Sequence, residues 1–239
     1  MLFRSNQEKE TFRLKYISAG PLATPELAAE QAFNEIIHFA NISRNGLGYA
    51  KQAISADAKH FDELREKLVK YEEISDRIEY EIAAFLNGVS AGDISEATSM
   101  KIKAMYKIIG ELESLGDSGE AISRMLSRRN EHKKTFSAET IDNINLMLEK
   151  VDNAYEVMIA NLNAAHVGTL TSITNAYNAE EQINTLRNEL REAEIEALED
   201  NDKNYQTSVY YIDIINELEH MGDYMINISQ SLERAFVEK

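Results

Sequence analysis

Three Glu-x-x-x-Asp pairs carry the most legible chemistry in this sequence: Glu72/Asp76, Glu113/Asp117 and Glu219/Asp223, with Glu180/Asn184 as a near relative. On a helix, residues four apart share a face about one turn apart. Carboxylates held that close repel one another and resist ionisation unless a cation neutralises them, and an oxygen-only ligand set suits hard or borderline metal ions. Spacing alone is weak evidence, because an acidic helix face is usually just solvated. Repetition gives it weight. At an offset of 106, Ile108–Leu126 matches Ile214–Leu232 at ten of nineteen positions, around a shared core Glu-Leu-Glu-x-x-Gly-Asp. At an offset of 108, Glu72 pairs with Glu180, Asp76 with Asn184, Glu81 with Glu189 and Ile82 with Leu190. An internal duplication with three helices per half follows. Gly116 and Gly222 recur inside the repeated helix, where glycine costs about 1 kcal/mol relative to alanine, so each is expected to mark a packing point where another backbone comes close. Each half therefore offers three or four oxygen side chains beside a tight crossing, and Asn184 makes the second half one charge weaker.

The elements that must position these groups are helices. The two prolines are Pro21 and Pro25, and the remaining chain has no breaker of that kind. Apolar residues recur at three and four, as in Ile102, Met105, Ile109, Leu112 and Leu115, and no stretch reads as a strand. The expected helices cover about residues 25–55, 58–85, 93–129, 137–164 and 169–198, with a sixth starting at 200–202 and running nearly to the C-terminus. Thr24 before Pro25 and Ser137 serve as N-caps, while Asn87 and Gly88 end the second helix. The fold class is all-α: six long antiparallel helices in two similar three-helix bundles, residues 25–130 and 137–239, joined by a connection at 131–136. Residues 1–24 form a polar tether carrying Arg4, Lys9, Arg13 and Lys15.

Composition narrows the functions. With 41 acidic and 25 basic side chains the formal charge is −16, a field that repels nucleic acid phosphates and anionic lipid head groups. Cysteine is absent, which excludes disulfides, thiolate zinc sites and cysteine nucleophiles. No apolar run is long enough for a membrane span and residues 1–20 lack the apolar centre of a signal peptide, so the expectation is a polypeptide soluble by itself. There is neither a glycine elbow around a serine nor a phosphate-cradling glycine loop, and no enzyme is expected.

Two copies of Glu-x-x-Gly-Asp, each preceded by an acidic second-helix motif in a duplicated three-helix unit, resemble the PhoU family of phosphate-uptake regulators over about residues 26–237. The resemblance implies two bundles side by side whose acidic motifs bind iron or zinc clusters. By position the ligands would be Glu72, Asp76, Glu113 and Asp117 in the first half and Glu180, Glu219 and Asp223 in the second, with Asn184 departing from the pattern. The stretch from Phe12 to Leu27 looks like the linker after the membrane region of bacterial Na/Pi cotransporter family proteins, which carry a PhoU-like domain on the cytoplasmic side. That implies a cytoplasmic regulatory domain at the inner face of the cell membrane. Its partner would be a phosphate transporter membrane region, in cis or in trans, and a homodimer is possible in that setting; nucleic acid is not an expected partner.

Two rivals belong beside this reading. A ferritin-like di-iron oxidase is suggested by Glu35-Ile-Ile-His38 and Glu217-Leu-Glu-His220, although the two motifs do not align within the repeat. A helical adapter whose acidic faces bind no metal is the other. Arg128, Arg129, His132, Lys133 and Lys134 read as a solvated helix end and connection in preference to a site for phosphate or a membrane head group, and His60 and His166 as surface or loop residues.

Overall fold

Amphipathic repeats without breakers produce six helices in the computed structural model, which describes residues 14–17, 24–199 and 204–237. They are α1 (Pro25–Ser55), α2 (Ala58–Ser90), α3 (Glu96–Glu131), α4 (Ala138–His166), α5 (Thr174–Glu199) and α6 (Tyr205–Phe236). No strand occurs among the described residues. The expected tether charges Arg4, Lys9 and Arg13, and the expected start of the sixth helix at 200–202, lie outside them. No helix among the described residues is long and apolar enough to cross a membrane.

The caps follow local chemistry. Thr24 accepts the Leu27 N–H ahead of Pro25, and Ser137 accepts the Thr140 N–H at 3.1 Å. Three boundaries differ from the expected ones by more than two residues, each for a physical reason. The second helix runs through Asn87 and Gly88 to Ser90, because Leu86 and Val89 are buried there. Burying two such side chains contributes about 1.5–3 kcal/mol each and outweighs the roughly 1 kcal/mol cost of the glycine. The third begins at Glu96 rather than 93, where Ser95 caps it by accepting the Thr98 N–H. The fifth begins at Thr174 rather than 169: Gly168 takes a positive φ of 72° and closes α4, and the following turn buries Leu170 and Ile173 outside any helix. Asn161 and Asn175 then exchange side-chain hydrogen bonds at 2.9 and 3.2 Å, fixing the start of α5 against α4.

Within each half the three helices pack on one another, α1–α2–α3 and α4–α5–α6. The halves meet along α3 and α6 and along α1 and α4. The first seam is apolar, with Ile108, Leu112 and Leu115 on α3 and Ile214, Leu218 and Met221 on α6 all buried. The second carries specific polar links. Ser43 and the buried Tyr155 hydroxyl share a hydrogen bond of 2.8 Å, and the Arg44 guanidinium donates to both carboxylate oxygens of Asp152 at 2.7 and 3.0 Å. The bonds to Asp152, and after them one of 2.7 Å to Glu156, raise the Arg44 pKa above its ordinary value against the opposing effect of burial.

One group departs from its expected setting. Arg129 is buried over the Phe136 ring, 4.5 Å from its centroid, instead of solvating a helix end. His166 stacks on Phe33, with ring centroids 5.8 Å apart.

Candidate metal centre

Helices α2 and α3 cross where Gly116 faces Ser75. A methyl carbon at Gly116 would sit 2.4 Å from Ser75 Oγ and 2.7 Å from its Cβ, so only glycine admits this approach. The equivalent crossing of α5 and α6 places Gly222 against Ile183, at 3.1 Å from Cδ1 to the same imagined methyl. Ser75 and Ile183 are themselves equivalent at the offset of 108, so the two crossings are copies.

The first crossing gathers acids. One carboxylate oxygen from each of Glu72, Asp76 and Asp117 lies within 4.8 Å of the others. Oxygens around an ion bound at 2.0–2.6 Å lie about 3–5 Å apart, so the donor set and its spacing fit a divalent cation. Glu113 flanks the trio without belonging to it. Its pKa is pushed up to about 7, first by burial and then by the charges of Asp117, Asp76 and Glu79. Burial, then Asp76 and Asp117, raises Glu72. Asp117 is raised by burial and Asp76, partly offset by Arg124, and it also feels Glu217 across the seam from α6. The arginines nearby serve other acids: Arg124 pairs with Glu120 at 2.8 Å and Arg77 with Glu81 at 2.7 Å.

The second crossing is built differently. Glu219 accepts a 2.5 Å hydrogen bond from Arg187 Nη2, and Glu180 accepts one of 2.5 Å from the Asn184 amide. Asp223 is raised by burial and by Glu219, with His220 and Arg187 opposing. Glu180, Glu219 and Asp223 do not form a convergent oxygen trio like the first among the described residues. Sequence reasoning passed over Arg187. The signal was available, since the offset of 108 that pairs Glu72 with Glu180 also pairs Glu79 with Arg187.

The Glu35-Ile-Ile-His38 motif has another job. Glu35 is fully buried, and its Oε2 accepts the backbone N–H groups of Lys15 at 2.8 Å and Tyr16 at 2.6 Å. His38 meets the Tyr16 ring edge-on, with centroids 6.3 Å apart. These residues clasp the chain entering the first bundle, and Glu35 is not part of the convergent acidic trio.

Comparison with known proteins agrees with this architecture. The family model of the PhoU domain matches residues 144–232, most of the second bundle. Among solved structures, PhoU from Pseudomonas aeruginosa superimposes with a TM-score of 0.73 at 15% identity, covering 87% of this chain and 96% of that one. The phosphate transport system regulatory protein PhoU from Streptococcus pneumoniae gives a TM-score of 0.69 at 18% identity, covering 90% and 100%. No curated protein matches the sequence. The chain thus has the PhoU fold, and its second half matches that domain family.

Proposed function

We propose that this chain is a metal-binding regulatory domain of phosphate transport, not an enzyme, and that it acts on a transporter's membrane region from the cytoplasmic face. The observation that carries the reading is the convergence of Glu72, Asp76 and Asp117 at a crossing only glycine permits, on a fold shared with PhoU proteins. A bound divalent ion, iron or zinc by the resemblance, would supply positive charge that offsets the repulsion among these acids. Glu72, Asp76 and Asp117 would hold it, with Glu113 beside them. The protein's own contribution is rigidity. α2 and α3 are locked by the glycine contact, so the acids stay together at the cost of mutual repulsion, and Asp117 also feels the charge of Glu217 across the seam. Neutralising the cluster would therefore stabilise both the α2–α3 crossing and the α3–α6 seam. The transporter is that of the Na/Pi cotransporter family, joined through the segment before residue 24.

The reading is tested by loading chelator-treated protein with Fe²⁺, Zn²⁺ or Mn²⁺ and measuring bound metal by elemental analysis. Wild type should retain metal, and Asp76→Asn combined with Asp117→Asn should lose most of it. The same double variant should alter phosphate uptake by cells expressing the cotransporter. A wild type that retains none of the three metals would leave a helical adapter in place of the metal-binding domain.

A further inference from the structure

The two glycine crossings are copies, yet their charges are not. At equivalent positions the first carries Glu72, Asp76, Glu79, Glu113 and Asp117, five carboxylates, and the second carries Glu180, Asn184, Arg187, Glu219 and Asp223, three carboxylates and one guanidinium. The formal charge changes from −5 to −2. The decisive exchange is Glu79 to Arg187. In the first half Glu79 adds repulsion to Glu113, and in the second its counterpart donates directly to Glu219, the counterpart of Glu113. That ion pair is sheltered, with the Arg187 side chain 25% exposed and Glu219 11%. Removing one member of a sheltered pair strands the other charge away from water.

We propose that Arg187 is the resident cation of the second crossing, a guanidinium held on Glu219 beside the place equivalent to that where Glu72, Asp76 and Asp117 would hold a metal ion, so that the two halves divide between a permanent and an exchangeable counter-charge. Asn184 completes the substitution. It removes the acid equivalent to Asp76 and ties down Glu180 through its amide, so two of the three remaining carboxylates are already partnered from within the protein. The second crossing then holds its helices together at any metal concentration. Only the first responds to metal, and this last clause rests on the metal reading of the first half.

Two measurements on the full chain separate the inference from that reading. In chelator-treated protein, a double-mutant cycle of Arg187→Met and Glu219→Gln should show coupling. Each single change lowers the melting temperature by about 2–4 °C, and the pair together lowers it less than the sum. Additive losses would overturn the resident cation. In Mn²⁺-loaded protein, Glu219→Gln should keep the wild-type metal content, whereas Arg187→Glu with Asn184→Asp should raise it. Arg187→Lys, which keeps the charge and the fold, should leave it unchanged. Loss of metal on Glu219→Gln, or no gain on Arg187→Glu with Asn184→Asp, would overturn the division between halves. If wild type binds no metal, the metal reading fails, and the cycle still decides the role of Arg187.

Discussion

Glu113 concentrates the energetics of the first crossing in one side chain. Its ordinary pKa of 4.5 moves to about 7 in the folded protein, so folding favours the protonated acid. The sign follows by linkage: the folded state binds the proton more tightly, so stability is greatest below about pH 4.5 as far as this group is concerned and falls as pH rises toward 7. Metal-free protein should thus melt lower at pH 7.5 than at pH 5.5, and Glu113→Gln should flatten the difference, as thermal unfolding across that range would read. The glycines make a second test at this scale. Gly116→Ala drives a methyl into Ser75, which is buried and has little room to yield, and overpacking of this kind costs about 1–3 kcal/mol. Gly48, in α1 with nothing within 4 Å of an added methyl, should instead gain about 0.5–1 kcal/mol on replacement by alanine. Opposite signs in denaturant unfolding would confirm that glycine serves the crossing rather than the helix.

At the scale of elements, the starts of α1 and α4 were legible in the sequence, whereas the end of α2 and the starts of α3 and α5 were not. Thr24 and Ser137 were readable because capping is a contact within three residues. The end of α2 was not, since the burial of Leu86 and Val89 depends on the other helices of the bundle and overrides the glycine between them. The start of α5 was hidden for a similar reason: Leu170 and Ile173 sit at helical spacing, but the core takes them from a turn. The clasp at Glu35 was equally hidden, since a buried carboxylate receiving two amides from residues 15 and 16 has no local signature. Hydrogen bonds to a charged acceptor contribute about 1.5–3 kcal/mol. Glu35→Ala should consequently speed hydrogen exchange at the Lys15 and Tyr16 amides by about tenfold to a hundredfold, while amides in the middle of α4 stay protected.

For the whole molecule, the consequence is a pair of similar bundles with unequal electrostatics, sharing a seam along α3 and α6. A ligand that binds only the folded state stabilises it by about 2.7 kcal/mol at a hundredfold excess over Kd, which is about 5–10 °C for a chain of this size. Metal addition should raise the melting temperature by about that amount in wild type and not in Asp76→Asn with Asp117→Asn. The gain should be larger at pH 7.5 than at pH 5.5, where protons and metal compete for the same oxygens.

Composition, period and repeat determined by themselves that this chain is helical, duplicated and acidic at two equivalent places, because those properties are written in spacings of three, four and about a hundred residues. Which acids would meet was decided by tertiary structure. Carboxylates four apart on one helix share a face whatever surrounds them, but the charge opposite that face belongs to another helix, brought there by the crossing. Glu79 and Arg187 occupy matching places in two copies of one crossing, as do Asp76 and Asn184, and those two exchanges separate a crossing of five carboxylates from one whose Glu219 is paired with a guanidinium.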